Sequence, residues 1–175
     1  ILSEPDLVKL LQSELIVVID ETYYEFCNIS FSHLIDKYEN LIILRSFSKW
    51  SGLAGLRIGY AISNPKVIEQ LILIKQPYNI NSAAETVALE AISKKDFLLE
   101  KVKILLEQRD KIFEFLQKKT DIKIYPSYAN FLLVDFGAID ANMVFETLAK
   151  NGIFVRKFSH PMISNSLRIS SGTPE

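Results

Sequence analysis

The segment SFSKWSGLAGLRIGY, residues 46–60, decides what fold and what chemistry this sequence predicts. It follows the apolar run Leu41–Leu44, which is short and rich in Ile and Leu and therefore predicts a buried strand. Three glycines in the segment allow positive φ angles or a close approach to a ligand. Serine hydroxyls and the amine of Lys49 thus follow the exit of a strand, and the cation Arg57 lies beyond the turn.

A second strand is predicted upstream by the β-branched run Leu15–Ile19. Its continuous apolar character is typical of a strand buried on both faces of a parallel sheet. The run ends in Asp20, and an acid at the carboxyl end of such a strand lies where α/β sheets bind ligands. The alternative is that Asp20 only caps the turn that follows.

Composition limits the classes of function. The 175 residues are 49% hydrophobic and 23% charged, as in an ordinary globular protein with a core. The formal net charge of −1 and the lack of a dense basic run argue against nucleic-acid and membrane surfaces. One cysteine and two histidines offer neither an internal disulfide nor a metal site. We therefore expect a cytoplasmic protein that binds no metal.

The chain begins Ile-Leu-Ser-Glu-Pro, which is neither an initiator methionine nor a signal peptide. No apolar run approaches the length that spans a bilayer. We interpret the chain as part of a longer one.

Helices and strands alternate along the rest of the chain. Apolar positions from Lys95 to Lys119 recur at helical spacing and predict one amphipathic helix about 35 Å long, which we interpret as a connector between two domains. Capping residues and periodicity predict further helices over about 3–11, 64–74, 82–92 (a Ser82–Glu85 capping box) and 140–151. Strands are predicted over 58–62, 122–125, 130–136, 153–156 and 167–170.

The spacing within residues 46–60 resembles a known lysine loop. Ser46 lies three residues before Lys49, and Arg57 lies eight after it, as in the fold type I pyridoxal-phosphate enzymes of the aspartate aminotransferase superfamily. Residues 20–26, DETYYEF, are similar to that superfamily's Asp-Glu-Ala-Tyr segment, with Thr22 in place of alanine. The resemblance implies an α/β fold. Residues 1–95 would be part of a large PLP-binding domain with a mostly parallel sheet and flanking helices, and 96–175 the connecting helix with a small α+β domain truncated at its end.

The resemblance also implies the cofactor and its ligands. Pyridoxal 5'-phosphate would form a Schiff base with Lys49, the catalytic residue, which then moves a proton between substrate and cofactor. Asp20 would pair with the ring nitrogen, and Tyr23 would donate to the ring oxygen. The cofactor's phosphate would be held by Ser46, Ser48 and Arg57.

Two further segments favour one subgroup of this superfamily. Residues 76–82, QPYNINS, and 167–175, LRISSGTPE, are similar to segments of the histidinol-phosphate aminotransferases. In that subgroup, arginines matching Arg156 and Arg168 bind the substrate phosphate, and the later one also takes a carboxylate. The implied reaction moves an amino group between glutamate, which becomes 2-oxoglutarate, and imidazole acetol phosphate, which becomes histidinol phosphate, a phosphorylated imidazole amino alcohol of histidine biosynthesis.

The resemblance covers only about the C-terminal half of such an enzyme, which as a full-length protein is expected to be a homodimer. Three alternatives stay open. The parent could be a threonine-phosphate decarboxylase, which would release carbon dioxide, or another class I/II aminotransferase. The chain could also be a non-catalytic fragment that keeps the fold.

Overall fold

The computed structural model describes residues 1–119 and 121–174. The chain divides into two compact units, Ile1–Leu99 and a second unit that begins at Glu100. The helices are Glu4–Leu11 (α1), Tyr24–Cys27 (α2), Pro65–Ile74 (α3), Ser82–Ser93 (α4), Lys95–Gln117 (α5) and Ala141–Lys150 (α6). The strands are Val17–Asp20 (β1), Leu41–Ser46 (β2), Gly59–Ser63 (β3), Lys123–Ile124 (β4), Phe131–Asp135 (β5), Arg156–Lys157 (β6) and Ser166–Ser170 (β7).

The first unit contains a three-stranded sheet in the order β1-β2-β3. β1 runs parallel to β2, and β3 runs antiparallel to it. One face of the sheet is apolar and buried, because Leu41 and Ile43 of β2 pack with Leu7 and Leu11 of α1. The α/β class that the sequence predicts is therefore observed, with one parallel and one antiparallel pair among these three strands.

The prediction for residues 15–19 is partly wrong. The strand begins at Val17 rather than Leu15, and its side chains alternate between partly buried and exposed. Val17 and Ile19 pack against the core, whereas Val18 is 52% exposed on the opposite face. Within this unit, α1 covers the face of β1 that carries Val17 and Ile19, and the face that carries Val18 is exposed.

The predicted helix starts agree with the structure except at α4, and the short helix α2 was not predicted. Ser3 caps α1 and Asn64 caps α3, since each side-chain oxygen accepts a backbone N–H of the first turn. At α4 the cap is Asn81, whose Oδ1 accepts from the N–H of Ala84 at 2.8 Å, and Ser82 is already helical. Asn81 has the extended backbone that a capping residue needs, so the predicted Ser82 cap is displaced by one position.

The second unit contains an antiparallel sheet in the order β4-β5-β7-β6. Leu132, Val134 and Leu167 are almost fully buried in its core, together with Ala141 of α6. The strand predicted over 153–156 is shifted, because only Arg156 and Lys157 pair with β7. The unit has the α+β character that the sequence predicts.

Among the helices of the described residues, none combines the length and the apolar character needed to cross a membrane.

Candidate active site

Three strand ends meet at one edge of the first unit's sheet. β1 and β2 are parallel and end there, and β3 begins there because it runs the other way. Asp20 lies beside Leu44, and Ser46 lies beside Gly59. This edge carries a group of residues that we call the strand-end cluster: Asp20, Tyr23, Ser46, Ser48, Lys49 and Arg57.

Asp20 is exposed at this edge, and it also caps the turn. Its Oδ1 accepts from the backbone N–H of Thr22 at 2.9 Å and from the Thr22 hydroxyl. The turn leads into Tyr23, which precedes α2 and whose ring centroid lies 6.0 Å from the Lys49 Nζ. The turn-capping alternative is therefore observed, and the turn that Asp20 caps leads directly into the tyrosine whose ring lies near Lys49.

The loop that carries Lys49 is held by hydroxyl groups. Ser46 Oγ accepts from the backbone N–H of Ser48 at 3.0 Å and donates to the carbonyl of Ile58 at 3.3 Å. The buried Ser51 donates to the carbonyl of Phe47 at 2.6 Å. These bonds fix the backbone on both sides of Lys49, whose own side chain is exposed.

Arg57 has an unusual backbone conformation. Its φ is 55°, in the left-handed region, where a side chain with a Cβ is strained. Its Nη1 donates to the carbonyl of Ala54 at 3.2 Å, which uses one of the five N–H donors of a guanidinium. Strained residues of this kind cluster at ligand-binding sites.

Gly59 allows β2 and β3 to approach each other. A Cβ at this position would lie 3.0 Å from the carbonyl oxygen of Arg45, so a side chain here would require the two strands to shift by a few tenths of an ångström. The glycine therefore keeps Ser46 and the segment after Arg57 close together at the edge.

A buried ion pair was not anticipated from the sequence. Glu21 and Arg45, with side chains 4% and 13% exposed, are joined at 2.9 Å between Oε2 and Nη2. Glu21 follows a strand, and Arg45 continues an apolar run within β2. The sequence does place opposite charges at the ends of two predicted parallel strands. It does not show whether the two side chains lie on the same face of the sheet, which an ion pair requires.

In the second unit, the two arginines that are predicted to bind substrate lie next to each other. Arg156 and Arg168 are register partners across β6 and β7. The Cζ of Arg168 lies 5.1 Å from the ring centroid of Phe131, and its Nε is buried without a hydrogen-bond partner among the described residues. A buried N–H without a partner is rare in proteins and suits an anionic ligand.

The family model for class I and II aminotransferases matches residues 1–175. The chain belongs to the class I and II aminotransferases. It is 42% identical over 177 residues to histidinol-phosphate aminotransferase 1, chloroplastic, of Arabidopsis thaliana, covering 100% of this chain and 42% of that protein.

Two solved structures share the fold, one of an aminotransferase and one of a decarboxylase. Histidinol-phosphate aminotransferase of Sinorhizobium meliloti, in complex with pyridoxal-5'-phosphate, superposes with a TM-score of 0.78 at 27% identity, over 90% of this chain and 44% of that one. L-threonine-O-3-phosphate decarboxylase of Porphyromonas gingivalis has a TM-score of 0.85 at 20% identity, over 99% and 56%. This aminotransferase chain therefore spans about half the length of the relatives it matches.

Proposed function

We propose that the strand-end cluster binds pyridoxal 5'-phosphate in an aminotransferase that converts imidazole acetol phosphate and glutamate to histidinol phosphate and 2-oxoglutarate. The observation that carries the proposal is that β1 and β2 end, and β3 begins, at one edge of the sheet. Asp20 ends β1, and Lys49 and Arg57 belong to the segment that links β2 to β3. The 42% identity to an Arabidopsis histidinol-phosphate aminotransferase supports the choice of substrate.

The residues of the cluster fit the chemistry of this cofactor. Its ring nitrogen needs an anion, its aldehyde an amine, and its phosphate a cation with hydroxyl or N–H donors. Asp20, Lys49 and Arg57 supply the three charged or basic groups. Among the described residues, Arg57 donates one of its five N–H groups to the Ala54 carbonyl, which leaves the others for an anion.

The cofactor, when bound, acts as an electron sink for the carbon that loses a proton. Lys49 would attach the cofactor and carry the proton at its Nζ. Asp20 would keep the pyridine nitrogen protonated by its negative charge. Tyr23 would donate a hydrogen bond from its phenol to the ring oxygen, and Ser46, Ser48 and Arg57 would hold the phosphate.

Arg156 and Arg168 are proposed to bind the anionic groups of the substrates. A guanidinium matches a carboxylate or phosphate in two parallel hydrogen bonds. The partnerless Nε of Arg168 is a donor that such an anion would satisfy.

The domain assignment is part of the proposal. Residues 1–95 would belong to the large cofactor-binding domain, and residues 96–175 to the connecting helix and small domain. We propose a cytoplasmic homodimer for the full-length protein; the Arabidopsis relative is named as chloroplastic.

The proposal is tested by reducing the full-length protein that carries this segment with borohydride in the presence of pyridoxal phosphate. Peptide mass analysis should find the phosphopyridoxyl group on Lys49. Lys75, an exposed lysine of the same unit, serves as the internal control. Labelling of Lys75 instead, or of no lysine at saturating cofactor, would refute the assignment.

The substrate is tested separately by following 2-oxoglutarate formation from glutamate with imidazole acetol phosphate as acceptor. Arginines facing a phosphorylated substrate would also suit a decarboxylase acting on phosphothreonine. Release of carbon dioxide from phosphothreonine, without amino transfer, would replace the proposed reaction by that one.

A further inference from the structure

The Glu21–Arg45 ion pair is the most extensively bonded polar group of the first unit. Oε2 of Glu21 accepts from Nε of Arg45 at 3.1 Å, from Nη2 at 2.9 Å and from the Ser30 hydroxyl at 2.9 Å. Its Oε1 accepts from the backbone N–H of Phe31 at 2.8 Å. Arg45 Nη2 also donates to the Ser30 hydroxyl at 2.7 Å. One carboxylate thus joins three stretches of chain.

Aromatic rings complete the surroundings of Arg45. Its Cζ lies 3.7 Å from the ring centroid of Tyr24, within the range of a cation–π contact. Burial opposes the charged guanidinium, but hydrogen bonds and charge interactions with Glu21 and Tyr60 outweigh it and raise the pKa of Arg45. The guanidinium is therefore charged and held on several sides.

The pair lies on the opposite side of the sheet from Asp20 and Ser46. Glu21 directly follows Asp20, and Arg45 directly precedes Ser46. Successive side chains of a strand point to opposite faces, so Asp20 and Ser46 face one side while their charged neighbours face the other. The backbone N–H of Glu21 also donates to the carbonyl of Leu44 at 2.8 Å, which extends the β1–β2 pairing to this point.

We infer that Glu21 and Arg45 are positioning residues that fix the distance between Asp20 and the Lys49 loop from the far face of the sheet. The inference rests on the proposed function. Neither residue would touch the cofactor. Their role would be to hold the acid and the amine at the spacing that the two ends of the cofactor ring require. A displacement of about 1 Å lowers the rate of such a reaction by about a hundredfold.

Stability alone gives a weaker account of this pair. A buried ion pair is often no more stabilising than uncharged groups of similar volume, whereas removing one partner leaves an unpaired buried charge. If the pair only supported the fold, an uncharged double substitution would restore both stability and activity. If the pair positions Asp20 and the Lys49 loop, the double substitution will restore stability but not activity.

The test uses the full-length protein with Glu21→Gln/Arg45→Met. Gln keeps an acceptor for the Phe31 N–H, and Met fills the space of the arginine stem over Tyr24 without a charge. We expect a thermal midpoint near that of the wild type, and a single-turnover rate with glutamate, at saturating cofactor, lower by about a hundredfold. Each single substitution should lower both, because it leaves one charge unpaired.

The control is the exposed ion pair Lys66–Glu39 of the same unit, at 2.8 Å. The matched double substitution Glu39→Gln/Lys66→Met should leave both midpoint and rate unchanged. Arg45→Lys gives a milder variant that keeps the charge but not the planar fork, and its rate should fall by about tenfold. That variant decides the matter should the double variant fail to fold.

Wild-type rate in a stable Glu21→Gln/Arg45→Met protein, or in Arg45→Lys, would overturn the inference and leave the pair as part of the fold. Failure of the proposed function looks different, because the wild-type protein itself would then show no half-reaction with glutamate and no labelled Lys49.

Discussion

Arg156 lies directly opposite Arg168 across the antiparallel pair β6–β7. Like charges in this position repel each other, since directly opposed side chains of neighbouring strands have Cβ atoms about 5 Å apart. The Nε of Arg168 is also buried without a partner among the residues described. An anion bound between the two guanidinium groups would remove both costs, so we expect anion binding to stabilise this part of the sheet.

Arg156→Gln should therefore lower the affinity for a phosphorylated substrate by about ten- to a hundredfold. This is the equivalent of losing one charge-assisted hydrogen bond of roughly 1.5–3 kcal/mol. Half-reaction kinetics with histidinol phosphate and with glutamate measure this. Lys157→Gln is the control, because it removes one positive charge from the next position of β6. Equal, small effects of Arg156→Gln on both substrates would leave an aminotransferase of a different specificity.

Arg168→Gln should impair both substrates. The later arginine is the one expected to take a carboxylate as well as a phosphate, so glutamate should lose affinity along with histidinol phosphate. The same kinetics decide this, and an effect restricted to histidinol phosphate would contradict the carboxylate role.

Asp20→Asn separates the charge of Asp20 from its role in the turn. Asn can still accept from the Thr22 N–H through its side-chain oxygen, so the turn should keep its cap. Cofactor should bind, while the rate falls by on the order of a hundred- to a few thousand-fold, as for an unpaired charge worth about 3–5 kcal/mol. Asp36→Asn, an exposed acid of the same unit, should have no effect. Near-normal turnover of Asp20→Asn would reduce Asp20 to a turn residue.

Two substitutions of Arg57 should differ in stability but not in cofactor affinity. Arg57→Gly relieves the left-handed backbone, whereas Arg57→Ala keeps it, so Gly should be more stable than Ala by about 1 kcal/mol. Both variants lack the guanidinium and should bind pyridoxal phosphate about equally weakly. Denaturant unfolding and cofactor titration measure the two effects. Asn28→Gly, at another residue with positive φ, should leave cofactor affinity unchanged.

Glu25 predicts a dependence of stability on pH. Burial raises the pKa of its carboxyl above the ordinary 4.5, so ionisation is harder in the folded state than in the unfolded one. The folded state is then favoured below the ordinary pKa, and this contribution is lost as pH rises through the raised value. Glu25→Gln should therefore raise the thermal midpoint more near neutral pH than at about pH 4. A gain that does not change with pH would contradict the shift.

Local signals in the sequence predicted much of the fold. Ser3 and Asn64 mark helix starts correctly, because a side-chain cap depends on residues one turn away. The predicted cap at Ser82 is wrong by one residue. Asn81 and Ser82 are both good capping residues, and Asn81 is the one with the extended backbone that a cap needs. The prediction that β1 is buried on both faces is wrong, because burial depends on what covers each face of the sheet. The sequence of one strand does not contain that information.

The candidate site was predictable in part for the same reason. Ser46, Lys49 and Arg57 share one loop, so their spacing alone indicates a common role. The roles of these residues remain predictions. The contact between Glu21 and Arg45 joins residues 24 apart, and the left-handed backbone of Arg57 arises from the turn as a whole, so neither was visible in local patterns.

The strand-end cluster is contained within residues 20–57 of one continuous stretch. Contacts between residues close in sequence form faster than those between distant ones, because less chain entropy is lost in closing a short loop. β1, β2 and β3 pair consecutively, so this edge needs no strand from the second unit. We therefore expect the three strands to pair before the second unit is synthesised, and the loop between β2 and β3 to be completed only once α4 has emerged, because Phe47 and Ile58 pack with Ala84 and Ala88 of that helix.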